Sequence, residues 1–280
     1  VTHTGPTTTR VLTQNIFALE ENWPARMTVL ANGLASLNPD ILLLQKTIVT
    51  SDYDQASDLL DGYVTAHSST RESNGQGITI ASRWPIVDSW ELDLKRVSDR
   101  TGDFACTCLI AAIDVPGPIG RLLAVNHFPD FQVDHELERE RQAVISAKAI
   151  DALLREQPAH VILGGDLDAE PDSASLRFLS GKQSLEGMSV CYRSAWETLH
   201  PGGPCETFVP RNAIAPDTWP FQRIDHLFVR CGPNGHPTLV PERCDIQFDL
   251  PVDGVWASNH FGVSADFSLS PLWHGWDSGQ

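Results

Sequence analysis

An α/β layered sandwich with mixed sheets is the fold class this sequence predicts. Three observations predict it: short apolar runs recur along the whole chain, two longer segments show helical spacing, and the two kinds do not alternate in a strict βαβ order. The apolar runs are "RVLTQNIF", "DILLLQ", "GITIAS", "CTCLIAAIDV", "RLLAVNHF", "HVILGGDL", "IDHLFVRC" and "GVSADFSL", each with the β-branched and aliphatic content of a buried strand. Of the helical segments, "ARMTVLANGLASL" has apolar residues spaced for one face. "DHELERERQAVISAKAIDALLRE" opens on an acidic turn, as a helix dipole favours, and carries Val144, Ile145, Ala149 and Leu153 toward one side. Strands that are not each followed by a helix form mixed sheets, with helices covering the outer faces.

The chain has 280 residues, 41% of them hydrophobic and 20% charged, which is enough for a large core of ordinary globular composition. No linker, low-complexity tract or internal repeat divides it, so one domain over 10–272 is expected between short tails at 1–9 and 273–280. No stretch approaches a membrane span. The opening "VTHTGPTTTR" has no apolar signal core, which leaves a cytoplasmic chain or one whose leader has been removed. A formal net charge of −16 with scattered basic residues argues against a nucleic-acid backbone as main ligand, because phosphate binding needs a field of Lys and Arg; an acidic nuclease with a local basic cleft would be the exception. The six cysteines do not make a disulfide scaffold, and no Cys/His spacing points to zinc. Cys106 and Cys108 share one face of a strand. Cys231 and Cys244 bracket "GPNGHPTLVPER", where a bridge and two small buried hydrophobes both stay open.

Polar residues at the strand ends carry the functional signal. Asn15 ends the first run, Lys46 the second, His127 follows "LAVN", Asp166 and Asp168 follow "HVILGG", Asp225 lies in "RIDHLF", and Asn259 with His260 precedes "FGVSADF". Groups at the ends of adjacent strands converge on one edge of a sandwich, a usual place for a site in layered folds.

In their order along the chain, "TQNIF", "LLLQK", "GITIASRWPI", "VNHF", "GGDLDAEP", "ETF", "RIDHLFV" and "SNHFGV" resemble the endonuclease/exonuclease/phosphatase superfamily, the DNase I-like group of nucleases and phosphoesterases. The resemblance covers nearly the whole chain and implies a four-layer α/β sandwich, two mixed sheets packed face to face with helices outside and a site at one rim. In active relatives the asparagine matched by Asn15 and a glutamate ending "LQE" help to hold Mg²⁺. By the same resemblance Asp166 lies near the attacking water, His260 with Asp225 is base or phosphate ligand, and His127 steadies phosphoryl oxygens.

The departures from that pattern are as specific as the matches. Lys46 stands in place of the metal-binding glutamate, Asn259 in place of the aspartate of "SDH", Asp168 where most relatives carry asparagine, and Glu206 of "PCETF" where near relatives carry histidine. Together the first three changes add about the charge of one divalent ion. The expectation is therefore that the Lys46 ammonium, held among Asp166, Asp168 and the Asn15 carbonyl, serves as a built-in cation and that no metal cofactor is used.

Three functions follow from this reading. The first is an enzyme running metal-independent general acid–base chemistry (hydrolysis, elimination or cyclisation) on a small molecule, with secondary metabolism as its setting. His260, Asp225, Asp166, Lys46, His127 and Asp168 would be its catalytic groups, with Asn15, Asn259 and Glu206 binding substrate. The second is a Mg²⁺-dependent phosphodiesterase using Asn15, Asp166 and Asp168 as ligands. The third is a catalytically dead protein that retains the cleft to bind a ligand or partner.

Overall fold

The structure is a computed structural model that describes residues 7–232 and 234–276. The apolar runs pair into two six-stranded sheets. The first contains β1 (Thr8–Asn15), β2 (Ile41–Ile48), β3 (Val64–His67), β4 (Gln76–Ser82), β11 (Leu239–Gln247) and β12 (Gly262–Leu269) in the order β11-β12-β1-β2-β4-β3. The second contains β5 (Ile86–Asp93), β6 (Thr107–Val115), β7 (Gly120–Phe128), β8 (His160–Asp166), β9 (Tyr192–Ser194) and β10 (Asp225–Arg230) in the order β5-β6-β7-β8-β10-β9. Each sheet has one parallel pair, β1 with β2 and β7 with β8, and antiparallel neighbours elsewhere. A parallel pair needs a long crossover. Helices α1 (Trp23–Leu37) and α3 (Glu136–Glu156) supply the two.

Side-chain alternation builds the layers. Val11, Leu43, Ile78 and Ile80 from the first sheet meet Leu109, Leu122, Ala124 and Ile162 from the second. Leu12, Leu42 and Leu44 point the other way, onto Leu30 and Leu34 of α1. Ile110, Val125, Val161 and Leu163 likewise pack on Val144, Ala147 and Ile150 of α3. The result is helix, sheet, sheet, helix. Short helices α2 (Gln55–Leu59), α4 (Ala174–Leu179) and α5 (Ala195–Leu199) fill the connections.

Several details differ from the sequence reading. The expected N-terminal tail at 1–9 ends sooner, because Thr8 and Thr9 pair with Ser268 and Phe267 at the start of β1; residues 1–6 and 277–280 lie outside the described residues. At the other end Trp273 and Trp276 pack against the His160 ring, with centroids 5.5 and 5.1 Å away. On α3 the inward stripe is Ala143, Val144, Ala147 and Ile150, while Ala149 is half-buried. All six cysteines are free, and the partner facing Cys231 is Cys191 rather than Cys244, at 3.5 Å between sulfurs.

The path of β8 into the site depends on Gly165. Its φ is +150°, and a Cβ there would collide with the carbonyl oxygen of His127 on the neighbouring strand. Backbone cannot retreat as a flexible side chain can. Gly165→Ala is therefore expected to destabilise the fold by about 2 kcal/mol or more, read as a lower urea midpoint with unchanged m-value.

Candidate active site

The carboxyl ends of β1 and β8 and the start of β10 meet at one rim of the sandwich. Asp225 lies directly opposite Asp166 in the β8–β10 ladder, and the loop entering β12 lays Asn259 and His260 beside them. His260 Nδ1 is 3.0 Å from Asp225 Oδ2. Its Nε2 is 3.3 Å from Asn15 Nδ2 and 3.7 Å from Asp166 Oδ2. Asn15 Nδ2 donates to Asp166 Oδ2 at 2.8 Å. A ring that donates from Nδ1 to Asp225 keeps its Nε2 lone pair for the Asn15 amide, which assigns the tautomer. The Phe208 ring covers the imidazole, with centroids 4.4 Å apart.

Hydrogen bonds from the surrounding loops hold this arrangement. Ser258 Oγ donates to the Asn15 carbonyl at 2.6 Å and accepts the His260 N–H at 3.2 Å. Thr207 Oγ1 accepts the N–H groups of Ile224 and Asp225. Arg26, buried on α1, donates to the carbonyls of Ile16, Phe17, Ala18, Glu20 and Ala257, tying the loop after Asn15 to the loop before Ser258. Burial draws that guanidinium down to about 10, and the carbonyl oxygens around it replace water.

Lys46 differs from expectation in two respects. It does not end β2, which continues to Ile48 through a bulge between Gln45 and Thr47. At the bulge Lys46 has φ +57°, a left-handed backbone that costs a non-glycine residue about 1 kcal/mol and turns its side chain into the cleft. Among the described residues its ammonium makes no ion pair or hydrogen bond. The Asn15 side-chain oxygen accepts the Phe17 N–H at 3.0 Å rather than a hydrogen bond from this ammonium. Lys46 acts across the cleft instead: its charge favours the ionised forms of Asp166, Asp168 and Asp225 and opposes a proton on His260.

Burial dominates the titration of the cluster. It raises Asp225 to about 8 and lowers His260 to about 4, so a lone charge on either partner is disfavoured. Desolvation of the ring outweighs the pull of Asp166 toward the charged form. Asp168, at φ +46°, is raised well above the usual carboxylate range by burial and then by Asp166; Asp166 is raised by burial, against the pull of His260. Each of these two buried carboxyls makes it harder for the other to ionise.

Two predicted residues lie apart from this cluster. His127 faces α3, where Ser146 Oγ is 3.3 Å from its Nδ1, and it does not line the cleft. Glu206 is exposed and also outside the lining. The sequence reading missed the walls. A cleft of about 410 Å³ is bounded by Phe17, Phe104, Phe131, Phe208 and Trp219. Phe131 stands 4.8 Å from Phe104 and 6.4 Å from Trp219, centroid to centroid. Aromatic residues set within Pro- and Asp-rich loops, as in "DTWPF", were the available signal.

Residues 12–260 match the model of the Endonuclease/Exonuclease/phosphatase family. The chain belongs to that family. Similar solved structures include D. rerio TDP2 complexed with a single-strand DNA product, at 21% identity over 94% of this chain and 100% of that one, with a TM-score of 0.72. An endonuclease/exonuclease/phosphatase from Bacteroides vulgatus is 19% identical over 95% and 100%, with a TM-score of 0.72. The human Nocturnin catalytic domain with bound sulfate is 18% identical over 94% and 95%, with a TM-score of 0.70. They confirm the two-sheet DNase I-like fold. No curated protein matches the chain.

Enzymes of the family are hydrolases and typically use Mg²⁺. In this member Asp166, Asp225 and His260 have ligand atoms within 4.8 Å of one another and could hold a metal ion. Asp166 Oδ1 and Asp225 Oδ1 are buried without hydrogen-bond partners.

Two predictions follow from this geometry. Lys46→Gly relieves the left-handed strain, so it is expected to raise unfolding stability by about 0.5–1 kcal/mol, read as a higher urea midpoint. Burial lowers His127 to about 4, whereas an unfolded histidine titrates near 6.5. Between those values unfolding takes up a proton at this residue, and its contribution to stability falls as the pH is lowered. Relative to the natural chain, His127→Gln should therefore gain about 1.4 kcal/mol per pH unit through that window, measured by urea titration at several pH values.

Proposed function

We propose that this family member is a general acid–base enzyme acting on a small molecule with an apolar or aromatic body, and that Lys46 supplies the positive charge of its active site without a divalent ion. The observation that carries this reading is the composition of the cleft. Lys46 is the one lysine or arginine among the described residues that line it, facing Asp166, Asp168 and Glu72, and most of the remaining wall is aromatic or aliphatic. A nucleic-acid backbone would require a row of cations there. The net charge of −16 points the same way.

In this reading His260, kept neutral by burial and aimed by Asp225, takes a proton at Nε2. Asp168, whose carboxyl is pushed toward its protonated form by burial and by Asp166, returns one, and the Lys46 ammonium stabilises negative charge as it develops on the substrate. The aromatic walls exclude water and hold the apolar part. Two features weigh against Mg²⁺: Asn15 turns its NH₂ group to Asp166, and the Lys46 ammonium shares the cleft with the same carboxylates.

One observation favours a second reading, a Mg²⁺-dependent phosphodiesterase. The orphaned oxygens of Asp166 and Asp225 are the kind of acceptors a cation satisfies, and with His260 they would hold it. The ion would then polarise a phosphoryl oxygen.

Calorimetric titration with Mg²⁺ and Mn²⁺ of EDTA-treated protein separates the two. The natural chain is expected to take up no ion and to hydrolyse no bis-(p-nitrophenyl) phosphate, whereas Lys46→Glu combined with Asn259→Asp binds the ion. Micromolar Mg²⁺ binding by the natural chain, with hydrolysis lost on chelation, would replace the first reading by the second.

A further inference from the structure

The segment that forms one aromatic wall of the cleft begins and ends at two cysteines. Cys191 immediately precedes β9 and Cys231 immediately follows β10. These strands pair antiparallel, with Phe228 opposite Ser194, Val229 opposite Arg193 and Arg230 opposite Tyr192, so the next step of the register sets Cys231 opposite Cys191. The Cys231 N–H donates to the Cys191 carbonyl at 2.9 Å, and the two sulfurs are 3.5 Å apart. Opposed positions of an antiparallel ladder lie within the backbone separation that a disulfide spans. Between them runs the connection that supplies Phe208, Ile214, Pro216 and Trp219 to the cleft and Thr207 and Asp225 to the hydrogen-bonded cluster. Beyond α5 that connection has no regular structure up to β10.

We propose that Cys191 and Cys231 are a site of reversible disulfide formation, closed by a small-molecule disulfide oxidant such as oxidised glutathione, and that the bond clasps the two ends of the cleft-wall segment. Cys191 is the more exposed of the two, so it meets the oxidant first. Its thiolate attacks one sulfur of the oxidant and expels one thiol, leaving a mixed disulfide on Cys191. The Cys231 sulfur, on losing its proton, attacks the Cys191 sulfur and expels the second thiol. Two electrons pass to the oxidant, and the two protons lost by the protein thiols are recovered on the two products. Burial and the neighbouring Cys191 push the Cys231 thiol up to about 12, which suits a resolving rather than an attacking role. Cross-linking the ends restricts the unfolded chain and holds the wall in place.

The test uses the full chain, reduced and then equilibrated with oxidised glutathione. Peptide mapping without reductant is expected to show a Cys191–Cys231 linked peptide and the loss of two of the six titratable thiols. The melting midpoint should rise by several degrees, and proteolysis within residues 200–223 should slow. Cys244→Ala should retain all of these changes, whereas Cys191→Ala and, independently, Cys231→Ser should lose them. A linkage joining any other pair would overturn the proposal. So would six surviving thiols in the folded chain under conditions that oxidise the urea-unfolded chain, or a correct linkage that leaves both melting and proteolysis unchanged.

Discussion

Three carboxyl groups and an imidazole, all buried, share the rim where the two sheets meet, and removing them from water is the constraint the surrounding structure has to satisfy. Burial alone would leave each carboxyl protonated and the ring neutral. Directed hydrogen bonds and one lysine charge work against that tendency. The arrangement of the cleft can be read as the means by which a short stretch of five strands delivers these groups together. β8 needs glycines to bring Asp166 past His127 and β10, β2 needs a bulge to present Lys46, and the entry to β12 needs Ser258 to bind the end of β1.

Arg26 shows how the same constraint extends outward. Two loops bordering the site turn carbonyls to the interior, and a buried carbonyl left without a donor would cost a hydrogen bond's worth of desolvation. One guanidinium, with donors fixed in a planar fork, satisfies five of them at once. A lysine has neither the number nor the geometry of donors for this. The rim is thus braced by a buried cation that, among the described residues, hydrogen-bonds only backbone carbonyls.

The interior of each sheet was legible in the sequence, and the edges were not. All eight apolar runs became strands, and the four strands that no run announced, β3, β5, β9 and β11, are the two edges of each sheet. Edge strands face water on one side, so they lack the continuous apolar run: β5 reads "IVDSWELD" and β11 reads "LVPERCDIQ". Within the site, Asn15, Asp166, Asp168, Asp225, Asn259 and His260 come together as the strand ends implied. His127 does not, and alternation explains why. Leu123 and Val125 face α3, so His127 does too, while Asn126 points between the sheets and bonds Gln45 at 2.8 Å. Position along a strand places a residue at the rim, but its parity decides which side it serves.

Lys46 combines both lessons. In regular β2 its parity would match Leu42 and Leu44, which pack on α1, and the ammonium would be buried in that outer apolar layer. The bulge adds one residue to the strand against Ile78 and Gly77, resets the parity and sends the chain through a left-handed turn. No local residue preference favours that turn, since glycine or asparagine would adopt it at lower cost. The turn carries the ammonium into the cleft, where its charge favours the ionised forms of Asp166, Asp168 and Asp225 against the larger effect of their burial. The strain and the placement of the charge are therefore one feature of this cleft: without the left-handed turn at the bulge, the ammonium would not stand beside the buried carboxyls.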